Sequence, residues 1–440
     1  MNEKKIVIVG AGSLLAFEII SSAARLAKTH GKVRIVLTDL DAGKAALVAR
    51  LARRMPEVSP EFVHLSSART LERAAEGADG VYTVIRACPA AVHQRDCEIS
   101  LAHGFHGDDT YGPSAYMLAL RTAPVLLNFA AIMQRQCPRA WFCVFTNPVT
   151  IMTDLLSRLT KIRTLGLCNG AENFERDFDH LHGDPPEAIE GLKWNGGGLN
   201  HFSWVSRTST FRGEPVHDYL RRYLATIDQR KLTPDMIWHL EKPVFEFTGQ
   251  MPMNNGHFYH YFLWDECLRG ARKWVRQIHL DARRSKRPDV WMQMRQAAAG
   301  GNKTLPDFWE RLPFLHRDPK HTNLGMRSLF SIWNDAGWQI PVNVPNRGHV
   351  KGLPEGAVVE ATTRMTAHGP QPLGLDPLPP MLKGLMGAVA YQQRMVADWV
   401  LEPSQQGLKE IIFADPCHRS LASINSVAAE LWKRHESKRA

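Results

Sequence analysis

Residues 5–27 read KIVIVGAGSLLAFEIISSAARLA, an apolar run, a glycine turn and a stretch with helical periodicity. The apolar run is continuous rather than alternating, as expected of a strand buried on both faces of a parallel sheet. Gly10 and Gly12 fill the first two places of a GxGxxG pattern, with Ser13 after the second and Leu15 in the third place. In such a turn, backbone N–H groups at a helix N-terminus point at a pyrophosphate. A second apolar strand, VRIVLTDLD from Val33, ends at Asp39. That is the distance at which a dinucleotide fold sets an acid against the adenosine ribose. A carboxylate there accepts both ribose hydroxyls and repels a 2′-phosphate, so the pattern predicts NAD rather than NADP. The competing reading is a glycine turn that packs strand on helix and binds no nucleotide.

Working outward, GVYTVI (80–85), WFCVFTNP (141–148) and TLGLCN (164–169) read as further buried strands. ALRTAPVLLNFAAIMQRQ (119–136) and VTIMTDLLSRL read as helices between them. This alternation predicts an α/β protein with a Rossmann-like doubly wound parallel sheet, forming an NAD-binding domain over residues 1–170. After Asn173 the pattern changes. GLKWNGGGLNHFSWVSRTST (191–210) reads as antiparallel strands around a glycine-rich bend, 339–369 as strands and turns, and 380–435 as helices. Residues 171–440 are therefore expected to form one α+β lobe.

The chain has 440 residues, 44% hydrophobic and 22% charged, an ordinary globular composition. No apolar run approaches the roughly 20 residues that span a bilayer, so no membrane partner is expected. The first residues enter a strand at once, leaving no room for a cleavable signal. Seven scattered cysteines, an odd number with no CxxC spacing, point to a reducing compartment, hence the cytoplasm. The net charge of +10 is dispersed, apart from residues 272–287 and the C-terminal tail. A solvated helix face explains the first cluster better than a polyanion site, so no nucleic-acid partner is expected; attraction of an anionic substrate stays open.

TNP (146–148) and LCN (167–169) both terminate strands, so Asn147 and Cys168 are expected to face one crevice. NGGGLNHFSW then supplies His201. A thiolate and an imidazole are competent ligands for a borderline divalent ion, and two protein ligands leave positions open for substrate and water. The same two residues also fit a buried thiol and a hydrogen-bonded core histidine.

Taken together, IVGAGS, LTDLD, IRACPAAVHQRDCEI, HGFHGDDTYGPSAYMLALRTAPVL, CPRAWFCVFTNP, GLCNG, GGLNHFSW, NVPNRGHVKGLPEGAVVE and IIFADPCHRS resemble the family-4 glycoside hydrolases. These are NAD- and metal-dependent glycosidases whose first lobe is related to lactate and malate dehydrogenases, which lack the cysteine–histidine arrangement. The resemblance implies a fold with a second α+β lobe for substrate, metal and oligomer contacts. It implies a glycoside hydrolase using NAD and Mn²⁺, or another divalent transition metal. The sugar is transiently oxidised at C3, loses its C2 proton, eliminates the leaving group, adds water and is re-reduced. Family 4 is in this respect an exception to two-carboxylate glycoside hydrolysis.

On the same resemblance, Cys168 and His201 hold the metal, while Gly10, Gly12, Ser13, Asp39 and Asn147 meet the cofactor. Asn147, Asn169, Asn200, Arg86 and Arg95 are expected to contact substrate. The base is sought in NNGHFYHYFLWD (254–265), with His257, Tyr259 and Tyr261 as candidates and His260 standing where relatives have Glu. Asp109, in GDDT, is a candidate proton donor or substrate contact, or else a loop-capping aspartate. GDDT and GHFYHY lean toward the α-galactosidase-like branch acting on a small glycoside, and a homodimer or homotetramer is expected. A 6-phospho-glycosidase, a plain NAD-dependent dehydrogenase of a sugar or hydroxy acid, and a non-catalytic nucleotide sensor are the rivals.

Overall fold

The computed structural model describes residues 3–172, 174–175, 178, 191–231, 238–253, 290–300, 305–310, 323–416 and 420–437. Six strands open the chain: β1 (Lys4–Val9), β2 (Val33–Thr38), β3 (Val63–Ser67), β4 (Gly80–Thr83), β5 (Trp141–Val144) and β6 (Arg163–Gly166). They pair in parallel in the order β3-β2-β1-β4-β5-β6. The expected doubly wound α/β sheet is therefore present, with its strand order reversing between β1 and β4.

The buried stretches of β1, β2, β4 and β5 are almost wholly apolar because both faces are covered. Ile6 and Ile8 of β1 point into a core with Phe17, Ile20 and Leu329. Val7 and Val9 point into the opposite core with Tyr116, Leu120 and Ile412. The period of two along a strand separates these sets. Helices α1 (Leu15–His30) and α2 (Ala42–Ala52) cover the first face; α3 (Leu71–Ala75), α4 (Ala90–Ala102), α5 (Pro113–Gln136) and α6 (Val149–Leu159) cover the second. Asp41 caps α2 by accepting from the Gly43 and Lys44 N–H groups. Helix α5 has the length and mean hydropathy (1.4) of a bilayer span, but 61% of that window is buried against the sheet and its neighbours.

The sheet does not stop at residue 170. Strand β12 (Trp338–Pro345) adds antiparallel to β6, pairing Asn343 with Gly166. Then follow β13 (Val358–Thr366), β8 (Gly196–Leu199) and β9 (Phe202–Val205), with β14 (Gly369–Pro372) on β13. Eleven strands thus form one sheet, parallel in its first half and antiparallel in its second. A separate small sheet joins β7 (Leu192–Lys193), β10 (Thr210–Phe211) and β11 (Glu214–Pro215). The helix Leu324–Asn334 packs on the α1 face, and the C-terminal helices Gln405–Phe413 and Leu421–Glu436 on the other. The expected α+β part is present, joined edge to edge with the parallel strands.

Candidate active site

The carboxyl ends of β1, β4, β5 and β6 surround a cavity of about 280 Å³. Such a crevice, beside the reversal of strand order, is where open α/β sheets bind ligands. It is lined by Ser13, Arg86, Asp109, Asn147 and Cys168 among its polar residues, with Leu15, Val84, Ile85, Phe145 and Leu167 among its apolar ones. Five residues singled out from the sequence thus meet in one place.

The glycine turn enters from one side. Gly10 has φ 84°, and a Cβ there would lie 2.7 Å from the Val84 carbonyl oxygen, so only glycine lets β1 turn beside β4. The Gly12 N–H donates to Asp39 Oδ2 at 2.8 Å, and Asp39 Oδ1 accepts from the Asp41 N–H at 3.0 Å. The carboxylate is thereby fixed at the end of β2, with lone pairs left for a diol. Trp291 lies against the same turn, its ring under the Lys44 ammonium at 4.5 Å. The slim turn and the anchored acid fit an adenine dinucleotide.

Cys168 follows β6, and its Sγ lies 3.1 Å from His201 Nε2. His201 sits at the tip of a two-residue hairpin in which Leu199 of β8 pairs with Phe202 of β9. Its φ of 57° is left-handed, a conformation more easily taken by glycine. Such strain clusters at functional sites, although Arg212 and Asp335 adopt it at a turn and a helix end. Burial pushes the Cys168 thiol up to about 12, and the Glu360 charge adds to this; hydrogen bonds from Asn200 and the Gly170 N–H pull it back. The donor set fits a divalent ion: a thiolate sulfur and an imidazole nitrogen 3.1 Å apart would hold one between them. Among the described residues no third His, Cys, Asp or Glu joins this pair.

Arg86 faces Asp109 across 4.0 Å. Asp109 is carried on a loop that Asp108 ties down, accepting from the N–H groups of Thr110 at 2.6 Å and Tyr111 at 2.8 Å and from His106 Nε2. The buried Tyr111 hydroxyl donates to the Asn200 carbonyl oxygen, linking this loop to the His201 hairpin. Burial and neighbouring acids hold that phenol well above its usual range.

Three expected contacts are placed elsewhere than the cavity wall. Asn169 is half-buried on the turn after Cys168 and does not line the cavity. Asn200 is 0% exposed, with its Nδ2 donating to Glu360 Oε1 at 2.8 Å. Arg95, on α4, pairs with Glu98 at 2.9 Å. The base candidates His257, Tyr259 and Tyr261 lie outside the described residues, as does the basic stretch 272–287. Glu360 is the residue that the sequence reading passed over. Its signal was an acid inside the apolar run AVVEA, which a strand buries only with partners.

Two family models match the chain: "Family 4 glycosyl hydrolase" over residues 5–181 and "Family 4 glycosyl hydrolase C-terminal domain" over residues 197–418.

The chain belongs to glycosyl hydrolase family 4.

This family-4 chain is 25% identical to a probable 6-phospho-beta-glucosidase of Bacillus subtilis (strain 168), covering 98% of the chain and 96% of that protein. It is also 25% identical to an alpha-galactosidase of the same organism, covering 98% of each. Among solved structures it resembles a 6-phospho-alpha-glucosidase from gut microorganisms in complex with NAD and Mn²⁺. There the TM-score is 0.79 and the identity 19%, over 98% of both chains. The family-4 fold, with its dinucleotide half and its antiparallel extension, is thus shared from end to end.

Proposed function

We propose that this family-4 protein is an NAD- and divalent-metal-dependent glycosidase that cleaves a small glycoside through transient oxidation at C3, elimination and water addition. The observation that carries the reading is the Cys168–His201 pair, 3.1 Å apart, with Cys168 on the wall of the cavity that also holds Ser13 and Asn147. When bound, NAD supplies reversible hydride transfer and Mn²⁺, or a similar ion, supplies Lewis-acid polarisation of the sugar oxygens. Cys168 and His201 are the residues that hold the ion. Gly10, Gly12, Ser13 and Asp39 hold the dinucleotide, and Asn147 hydrogen-bonds the sugar hydroxyls beside it. Leu15, Val84, Ile85, Phe145 and Leu167 exclude water from the oxidised sugar. Asp109 holds a proton for the departing oxygen. The C2 base is assigned to His257, Tyr259 or Tyr261.

The substrate branch follows from charge. Among the described residues lining the cavity, Arg86 is the one cation, and it shares the wall with the acid Asp109. A lone guanidinium is a weak receptor for a phosphate dianion. This favours an unphosphorylated, α-galactosidase-like substrate over a 6-phospho-glycoside. We place the enzyme in the cytoplasm as a homodimer or homotetramer. Turnover of nitrophenyl glycosides with and without a 6-phosphate, supplied with NAD and Mn²⁺, tests the branch. Faster release from the neutral α-galactoside supports it; activity confined to 6-phosphates overturns it.

A further inference from the structure

Behind the His201 hairpin lies a side chain that the glycosidase chemistry does not use. Glu360, on β13, is 1% exposed and stands in register with Asn343 on β12 and Gly198 on β8. Its Oε1 accepts from Asn200 Nδ2 at 2.8 Å and from Asn343 Nδ2 at 3.4 Å; its Oε2 accepts from Ser203 Oγ at 3.0 Å. Asn200 and Ser203 flank His201 in the hairpin. Asn343 also donates to the Gly166 carbonyl oxygen at 3.5 Å, two residues before Cys168. One carboxylate therefore connects the strand that delivers the sulfur to the hairpin that delivers the imidazole.

The three donors are neutral, and among the described residues no cation pairs with the carboxylate. A buried charge without a counter-charge is rare, because the loss of hydration exceeds what neutral donors return. A hydrogen-bonding brace alone is served equally well by glutamine. A carboxylate kept ionised here calls for a cation, and the two residues that Glu360 connects are those suited to holding one.

We propose that Glu360 is a positioning and charge-balancing residue for the divalent ion at Cys168 and His201, an inference that rests on the metal-site reading above. Its hydrogen bonds fix the Asn200–His201 turn. A thiolate and a neutral imidazole leave a dication with one uncancelled positive charge, and the buried carboxylate cancels it. At equal distance the carboxylate attracts the dication twice as strongly as it repels the thiolate, so its charge favours occupancy.

The test is Mn²⁺ affinity, measured by calorimetry and by paramagnetic resonance of free Mn²⁺, for the full-length protein, Glu360→Gln and Ser203→Ala. Melting in chelator is recorded alongside. Glutamine keeps the shape; its carbonyl accepts from Asn200 and its amide donates to the Ser203 hydroxyl. Glu360→Gln is expected to melt in chelator at or above the wild-type temperature and to bind Mn²⁺ about 10–100-fold more weakly. Ser203→Ala, which keeps the charge and the bonds from Asn200 and Asn343, is expected to lose much less affinity than Glu360→Gln. Equal affinity of wild type and Glu360→Gln overturns the proposal. So does a Gln variant that fails to fold, or a Ser203→Ala loss as large as that of Glu360→Gln, since each assigns a purely structural brace. A wild-type protein that binds no Mn²⁺ overturns the metal-site reading itself.

Discussion

Cys168 Sγ and His201 Nε2 lie 3.1 Å apart across a sequence separation of 33 residues, and His201 holds a left-handed backbone to get there. That conformation disfavours a non-glycine residue by about 1–2 kcal/mol. His201→Gly removes this penalty and adds a comparable entropic one. The variant is expected to melt within about 1 kcal/mol of wild type in chelator, while calorimetry detects no Mn²⁺ binding. A loss well above that, of the size seen on deleting a packed core side chain, makes the imidazole a packing element instead.

Gly12 tests the dinucleotide site. A Cβ there would come within 2.8 Å of Asp39 Oδ2 and 3.3 Å of the Trp291 ring. Gly12→Ala is expected to push Asp39 off its position and weaken NAD binding at least tenfold, about 1.4 kcal/mol, with far-ultraviolet dichroism unchanged. Fluorescence titration checks this; wild-type affinity contradicts the placement.

Asp109 tests the proton donor. Asp109→Asn keeps size and hydrogen-bonding reach but carries no acidic proton. With glycosides of poor leaving groups, kcat is expected to fall about 10²–10⁴-fold. Nitrophenyl substrates, whose leaving groups need no proton, are expected to lose far less. Equal losses for both substrate kinds assign Asp109 to binding.

Two buried groups set opposite pH trends in apo-protein stability. Burial pushes the Glu360 carboxyl up to about 7, against hydrogen bonds from Asn200, Ser203 and Asn343. Its raised value favours folding below the unfolded pKa of roughly 4.5, an advantage lost as pH rises through 7, by about 3 kcal/mol at most. Burial, with Arg207 and Arg221 nearby, pulls His217 down to about 4. Its neutral ring accepts the Met251 N–H at 3.4 Å. That contribution is full above the unfolded pKa of roughly 6.5 and is lost as pH falls through 4. Melting in chelator across pH 4–8 should show Glu360→Gln lacking the upper trend and His217→Gln the lower. Unchanged profiles contradict both assignments.

The dinucleotide half was readable because its signals are local. β1, β2, β4 and β5 are mostly apolar runs, and Gly10, Asn147 and Cys168 mark where strands end; β3, VHLSS with three exposed residues, carries no such signal and was not readable. The joining of β12 to β6 was not readable, because Asn343 and Gly166 are separated by 177 residues and nothing local specifies their pairing. Asn200 stands beside His201 in sequence, yet neighbours in a tight turn point different ways, and its side chain meets Glu360 instead of the cavity. Arg95 lies next to the wholly buried Asp96 on α4, but helical geometry turns it outward onto Glu98. Glu360 was passed over because its partners, Asn200, Ser203 and Asn343, come together only in the folded sheet.

The most direct measurement is hydrolysis of the preferred glycoside in deuterated water with NAD and Mn²⁺, following both NADH and isotope content. The account predicts aglycone release without net NADH and deuterium at C2 of the released sugar. Stoichiometric NADH would contradict it, and so would a released sugar carrying no deuterium at C2.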